Sequence, residues 1–301
     1  MKTVKVKNCP IVVPKGSAFA IETKPEHIKL CTNCIAIGKR GSGKSVGITS
    51  LMRMLPFDRI FIISPTVQSN KALLDDLNID DDDVYSDPDD ESCILDIINK
   101  VEQEVVDYEN YHKQLAMYKK FKKLLTNPLV QIPDEMLLAF YGDDGNFSEP
   151  THRWNGRKPV LALFVDDCQA TKMFRSKRFQ NMITRHRHIG MFSEGGALGL
   201  SVFIAIQNYK ASGQPCLRAI RNNATHLIVF KTKDEKEFQD IYSEVAGEID
   251  FDTFKSVYDQ ATAGDHNFLF IDLHKKPHHP SMFRRNFSEF LIPPTTKSDK
   301  E

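Results

Sequence analysis

Short apolar runs alternate with helical patterns along most of this chain. Cys34–Gly38, Arg59–Ser64, Val160–Asp166, Ser201–Ile206 and His226–Lys231 are nearly continuous in apolar residues, a composition that suits strands buried on both faces. Val46 to Leu55 reads as a helix that stops before Pro56. From Ser92 to Leu125, Ile94, Ile97, Ile98, Val101, Val105, Tyr108, Leu115 and Tyr118 recur mostly at three- and four-residue steps, which predicts a long helix between the second and third core strands. Two more helical patterns follow Thr232, over Asp234–Ala246 and Phe251–Thr262. The alternation predicts an α/β fold, a mostly parallel sheet with helices on both faces.

Three regions depart from that rhythm. Residues 1–30 hold two short apolar runs, Val4–Val6 and Ile11–Val13, punctuated by Pro10 and Pro14, and read as edge strands before the core domain of residues 31–290. Residues 75–158 form an insertion: an acidic loop from Asp75 to Glu91, the long helix, and a Gly/Asp/Asn/Pro loop over Phe140–Pro159 around Trp154. The helix either packs on the same sheet or reaches a neighbouring subunit or another protein; its pattern fits both. At the far end, Asn267–Leu273 and Met282–Phe287 read as a hairpin, and residues 291–301 as a polar, disordered tail. No internal repeat is evident.

Composition narrows the functional classes. The 301 residues are 41% hydrophobic and 27% charged, ordinary for one large globular domain or two small ones. Lys+Arg and Asp+Glu both number 40, so any attraction to a polyanion must be local. No apolar run approaches the roughly 20 residues of a membrane helix, which argues against an integral membrane protein. Six scattered cysteines and no opening signal peptide imply a reducing, intracellular setting. Cys31-Thr-Asn-Cys34 lacks a second pair at zinc-ribbon spacing, so structural cysteines are expected. The run His274 to Pro280 is expected to be a solvated turn.

The chemistry begins at Gly38-Lys39-Arg40-Gly41-Ser42-Gly43-Lys44-Ser45, which fits G-x-x-x-x-G-K-[ST] between a strand and a helix that starts at Val46. Backbone N–H groups of such a loop surround nucleotide phosphates, Lys44 reaches the β/γ-phosphates, and the Ser45 hydroxyl ligates Mg²⁺. Val160–Val165 then delivers Asp166 and Asp167 at a strand end, the edge where α/β sheets bind ligands. Asp166 is expected to hold the Mg²⁺ shell beside Ser45, and Asp167 to polarise the attacking water. Val202–Ile206 leads to Gln207, an amide placed to sense the γ-phosphate. A cationic stretch lies between, with Lys172, Arg175, Lys177, Arg178, Arg185 and Arg187 beside His186 and His188. Arg185 and Arg187, together with Arg218 and Arg221 further on, are candidates for an arginine finger offered to a neighbour's γ-phosphate, or for phosphate contacts to nucleic acid.

Taken together, Gly38–Ser45, the strand ending Asp166-Asp167-Cys168, Arg185-His186, the strand ending Gln207-Asn-Tyr-Lys210, and Arg218–Asn223 resemble the FtsK–HerA superfamily of DNA-pumping ATPases. The likeness is greatest to the genome-packaging ATPases of poxviruses and other nucleocytoplasmic large DNA viruses, and covers roughly residues 30 to 235. The acidic loop, the helical insertion and the terminal hairpin have no counterpart in it. The resemblance implies an additional-strand, RecA-like P-loop core in which the Gln207 strand lies between those carrying the phosphate loop and the carboxylates. It also implies a homo-oligomeric ring, pentamer or hexamer, that threads double-stranded DNA, with ATP and Mg²⁺ as cofactors. Viral capsid or membrane-associated assembly proteins are implied partners, and the host cytoplasm at virus assembly sites, or the virion, is the implied location. The wider superfamily commonly has Asp-Glu where this chain has Asp166-Asp167.

The expected activity is ATP hydrolysis coupled to moving double-stranded DNA, most naturally to package a viral genome. Three alternatives stand beside it: a related cellular segregation or transfer motor, an ATP-dependent switch or assembly protein that moves no DNA, and a small-molecule kinase. Motors of the first kind often carry membrane helices or DNA-reading domains, which are not visible here, and neutral net charge keeps the second open.

Overall fold

The computed structural model describes residues 22–90, 92–126, 131–142, 146–211, 214–245, 247 and 249–294. The N-terminal runs at Val4–Val6 and Ile11–Val13, and the tail beyond Pro294, lie outside them. Nine strands form one sheet: β1 Asn33–Ile37, β2 Arg59–Ile63, β3 Val84–Tyr85, β4 Leu161–Val165, β5 Ser201–Ile206, β6 His226–Phe230, β7 Phe268–Asp272, β8 Phe283–Arg285 and β9 Glu289–Leu291. Helices are α1 Lys44–Arg53, α2 Lys71–Leu74, α3 Ser92–Leu125, α4 Asp134–Phe140, α5 Lys177–Arg185, α6 Pro215–Asn222, α7 Glu235–Val245 and α8 Phe251–Ala261.

The strand order is β3-β2-β4-β5-β1-β6-β7-β8-β9. From β3 to β6 every pairing is parallel, and β7, β8 and β9 continue the sheet antiparallel. The five expected core strands are all present, each within a residue or two of its expected ends. The terminal hairpin proves to be a three-stranded meander attached to β6. Its third strand, β9, is only three residues long, too short to leave a periodic signal.

Period-two alternation divides each core strand between two apolar layers. Cys34 and Ala36 of β1 face the layer that holds Ile48, Leu51 and Met52 of α1, while Ile35 and Ile37 face the layer that holds α3, α5, α6 and α8. Helix α3 has the bounds its periodicity predicts, and at 34 residues it is about 50 Å long. Its first half lies on the sheet through Ile94, Ile97, Val101 and Val105; its second half packs Tyr118 and Phe121 against Phe140 of α4. The same-sheet reading therefore holds for the first half.

Two expectations need correction. The acidic segment is not a plain loop, because Val84 and Tyr85 pair with Ile62 and Ile63 as edge strand β3. Asp83 beside it is buried and takes two hydrogen bonds from Arg59, at 2.6 and 2.8 Å, while Arg59 also bonds Glu104 of α3 at 2.9 Å. One guanidinium thus fastens β2, the acidic segment and α3. Glu104 in turn accepts from the Trp154 indole at 2.6 Å, which anchors the Phe140–Pro159 loop.

The His/Pro stretch is not simply solvated either. His279 is buried between Asp272 and Arg284, at 3.7 and 3.2 Å, and its Nε2 lies 2.8 Å from the Pro25 carbonyl. Arg284 donates to the Glu26 carbonyl at 2.9 Å, so residues 22–30 are tied to the meander. No helix among the described residues is long and apolar enough to cross a membrane. Cys31 and Cys34 are free thiols; burial pushes Cys31 up to about 11, consistent with a structural role.

Candidate active site

Glycines shape the phosphate loop where side chains would block it. A Cβ on Gly38 would lie 2.6 Å from Ser42 Oγ and 2.9 Å from Phe230 Cβ, so the loop leaves β1 with no room for one. Gly43 caps α1 in the left-handed region, at φ +102°, and no side chain caps the N–H groups of the first turn. Those groups face the loop, together with the positive end of the helix dipole, a ready anion site.

Lys44 opens α1, is 7% exposed, and donates to the Lys39 carbonyl at 3.1 Å across the loop. Burial lowers its pKa from the ordinary lysine value, while Asp167 and Asp166 pull it back up. Ser45 donates to Asp166 Oδ2 at 2.7 Å, joining the loop to the end of β4. Asp166 is 2% exposed, and its other oxygen, Oδ1, is buried without a hydrogen-bond partner. Burial pushes its pKa above the usual carboxylate value against the opposing Ser45 bond. A buried carboxylate oxygen with nothing to accept from, beside a serine hydroxyl, fits an oxygen-seeking cation such as Mg²⁺.

Asp167 is exposed and adopts φ +53°, the left-handed region that aspartate tolerates better than most residues. Thr66 donates to its carboxylate at 3.3 Å. Lys39 and Arg40 of the loop and Val46 of α1 are exposed.

Gln207 is exposed at the end of β5, which lies between β1 and β4 as expected. The Gly38 amide donates to the Ile206 carbonyl at 3.2 Å, so β5 meets the phosphate loop on one side. On the other it meets Gln169, whose side-chain oxygen accepts from the amides of Gln207 and Asn208 at 2.7 and 3.1 Å. Asn208 Oδ1 accepts from Lys39 Nζ at 3.2 Å. The sequence reading missed Gln169; its only trace was an amide residue two places beyond the second aspartate. His266, whose Nδ1 lies 3.3 Å from the Ser42 carbonyl, left no trace at all.

The four arginines divide. His186 lies beside Leu200 ahead of β5, and Arg187 packs against Gly199 and the region of Cys31 ahead of β1. Arg185 and Arg187 therefore stand at the edge where the strands begin, a strand length of roughly 17 Å from Lys44 at the other. Within one chain they cannot touch the same phosphate. Arg218 is exposed beside Asn208, in a cleft on the phosphate-loop side. Arg221 is not free to act as a finger: it bonds Glu244 at 3.1 Å and the Tyr209 carbonyl at 3.0 Å, over the Tyr209 ring. His186 is buried against the Leu200 carbonyl and kept below its ordinary pKa by burial, so it adds no charge to the cationic stretch.

A phosphate loop after β1, paired carboxylates after β4 and an inserted β5 between them define the architecture. The chain has a P-loop NTPase fold with an additional strand. No family model matches it. It is 30% identical over 115 residues to an uncharacterized protein, 075L, of Invertebrate iridescent virus 6, a match that spans 38% of this chain and 40% of that one. Among solved structures it is similar to B204, the DNA-packaging ATPase from Sulfolobus turreted icosahedral virus, with TM-score 0.42, 12% identity, and 83% of this chain and 100% of that one covered. It is also similar to the pCW3 conjugation coupling protein TcpA bound to ATPγS, with TM-score 0.40, 16% identity, and 83% and 60% covered.

Proposed function

We propose that this chain is an FtsK–HerA-type ATPase that hydrolyses ATP and uses the energy to move double-stranded DNA, packaging a viral genome. The observation that carries the reading is the position of Gln207, at the end of a strand bonded to the phosphate loop on one side and to the carboxylate loop on the other. Loss of the γ-phosphate is thereby coupled to an element that spans both halves of the site.

In this reading the loop amides and the α1 N-terminus receive the phosphates, and Lys44 exchanges its bond to the Lys39 carbonyl for one to the β/γ-phosphates. Ser45 and Asp166 would hold Mg²⁺, which supplies positive charge against the phosphate oxygens. Asp167 accepts a hydrogen bond from the attacking water and orients it in line. Gln207 bonds the γ-phosphate or that water. Rate enhancement comes from positioning and fixed charge.

Arg185, Arg187 or Arg218 from an adjacent subunit completes the transition-state charge, which requires a homo-oligomeric ring, a pentamer or a hexamer. The viral setting is supported by the similarity to an iridescent virus protein. In this reading the chain works in the host cytoplasm at virus assembly sites, or in the virion, with capsid or membrane-associated assembly proteins as partners.

The test is ATP turnover by purified chain with and without double-stranded DNA, beside Lys44→Ala. Turnover stimulated by DNA and reduced at least about 100-fold in the variant is expected. Nucleotide binding without turnover in either case would replace the motor with a switch.

A further inference from the structure

Gln169 is engaged in a way that simple surface packing does not require. Beyond Ile206, β5 leaves the ladder, and the amides of Gln207 and Asn208 have no strand partner among the described residues. At an exposed strand end such amides ordinarily bond water. Here one side-chain oxygen accepts from both, at 2.7 and 3.1 Å, while the same side chain's Nε2 donates to the Asn208 carbonyl at 3.0 Å. A primary amide presents an acceptor and a donor in one plane, so it can read two backbone N–H groups and a C=O at once.

The clamp's position gives it a consequence. Gln169 lies two residues beyond Asp167 in the same loop, so it moves with the carboxylates. What it holds, Asn208, reaches the phosphate loop through Lys39 at 3.2 Å. The two sides of the site thus meet at the end of β5 through side chains as well as through the sheet.

We infer that Gln169 is a positioning residue that fixes the Gln207–Asn208 backbone between the carboxylate loop and the phosphate loop, so that the Gln207 side chain meets the γ-phosphate or its attacking water. The inference rests on the ATPase reading above. Gln169 touches no phosphate in this role. Its contribution falls on turnover rather than on nucleotide affinity, since the loop amides and Lys44 bind the phosphates without it.

The experiment compares wild type, Gln169→Ala, Gln207→Ala and the double variant. Amide hydrogen exchange at Gln207 and Asn208 should be at least about tenfold faster in Gln169→Ala than in wild type, and Gln169→Glu, which keeps the acceptor but sets a carboxylate oxygen against the Asn208 carbonyl, should restore the protection only in part. In Gln169→Ala, kcat should fall about tenfold while the Kd for ATPγS stays within about twofold. Because Gln169 acts through Gln207, it should cost less than about twofold once Gln207 is already alanine. Equal exchange in wild type and Gln169→Ala, an unchanged kcat, an affinity loss matching the kcat loss, or a full tenfold cost in the Gln207→Ala background would each overturn the inference. A wild-type chain without turnover would instead defeat the ATPase reading, and the exchange comparison would still decide whether the clamp exists.

Discussion

Asp166 meets opposing demands. Folding buries it and leaves one oxygen without a partner, while the proposed chemistry needs it ionised. Its pKa is raised by burial, so the folded state favours the proton more than the unfolded chain does. The stability it contributes is therefore present at acid pH and is lost as pH rises through its folded pKa. In metal-free protein, Asp166→Asn should flatten that loss and raise stability above the folded pKa by about 1–3 kcal/mol, the cost of an unsatisfied buried group. Mg²⁺ should stabilise wild type, increasingly with pH, and leave the variant unmoved. Urea unfolding across pH with and without Mg²⁺ measures this; a variant less stable than metal-free wild type at neutral pH would sink it. The phosphate loop and the aspartate pair were legible because their chemistry lies in covalent neighbours. Gln169 and the engagement of Arg221 were not, because their partners lie 38 and 23 residues away and are chosen by the fold.

At the scale of elements, periodicity gave α3 its ends and placed the core strands, since long or doubly buried segments carry many votes. β3, β9 and α4 went unread because two, three and seven residues carry few. What periodicity could not give is where α3 rests. Its first half is seated partly by a turn at Gly190, which has φ +68° and where a Cβ would lie 2.9 Å from Val101 Cγ1 and 3.1 Å from Val105 Cγ2. Gly190→Ala should combine backbone strain with a forced shift of α3 and cost about 1–3 kcal/mol. The midpoint of urea unfolding reads it. An unmoved midpoint would mean that the turn does not seat the helix.

For the whole molecule, the strand order was expected from the resemblance and not from hydrophobic patterning, which is silent on which strands are neighbours. Arg185 and Arg187 stand at the edge opposite Lys44, so in the proposed mechanism either of them can act only on another copy's site, as Arg218 on the phosphate-loop side is also proposed to do. Specific ATPase activity should then rise with protein concentration and level off as the chain assembles, with size measured in parallel by light scattering. Activity per chain that is constant from dilute monomer upward would remove the trans arginine.

Among the described residues, the two borders of the sheet bear on how such copies can meet. One is β3, two residues set among aspartates; the other is β9, three residues followed by Pro293 and Pro294. Neither offers a row of free backbone groups long enough to template another chain, and the charge and the prolines discourage the attempt. High local concentration of this protein should therefore favour ordered, side-chain-mediated contacts over the runaway strand addition that leads to aggregates.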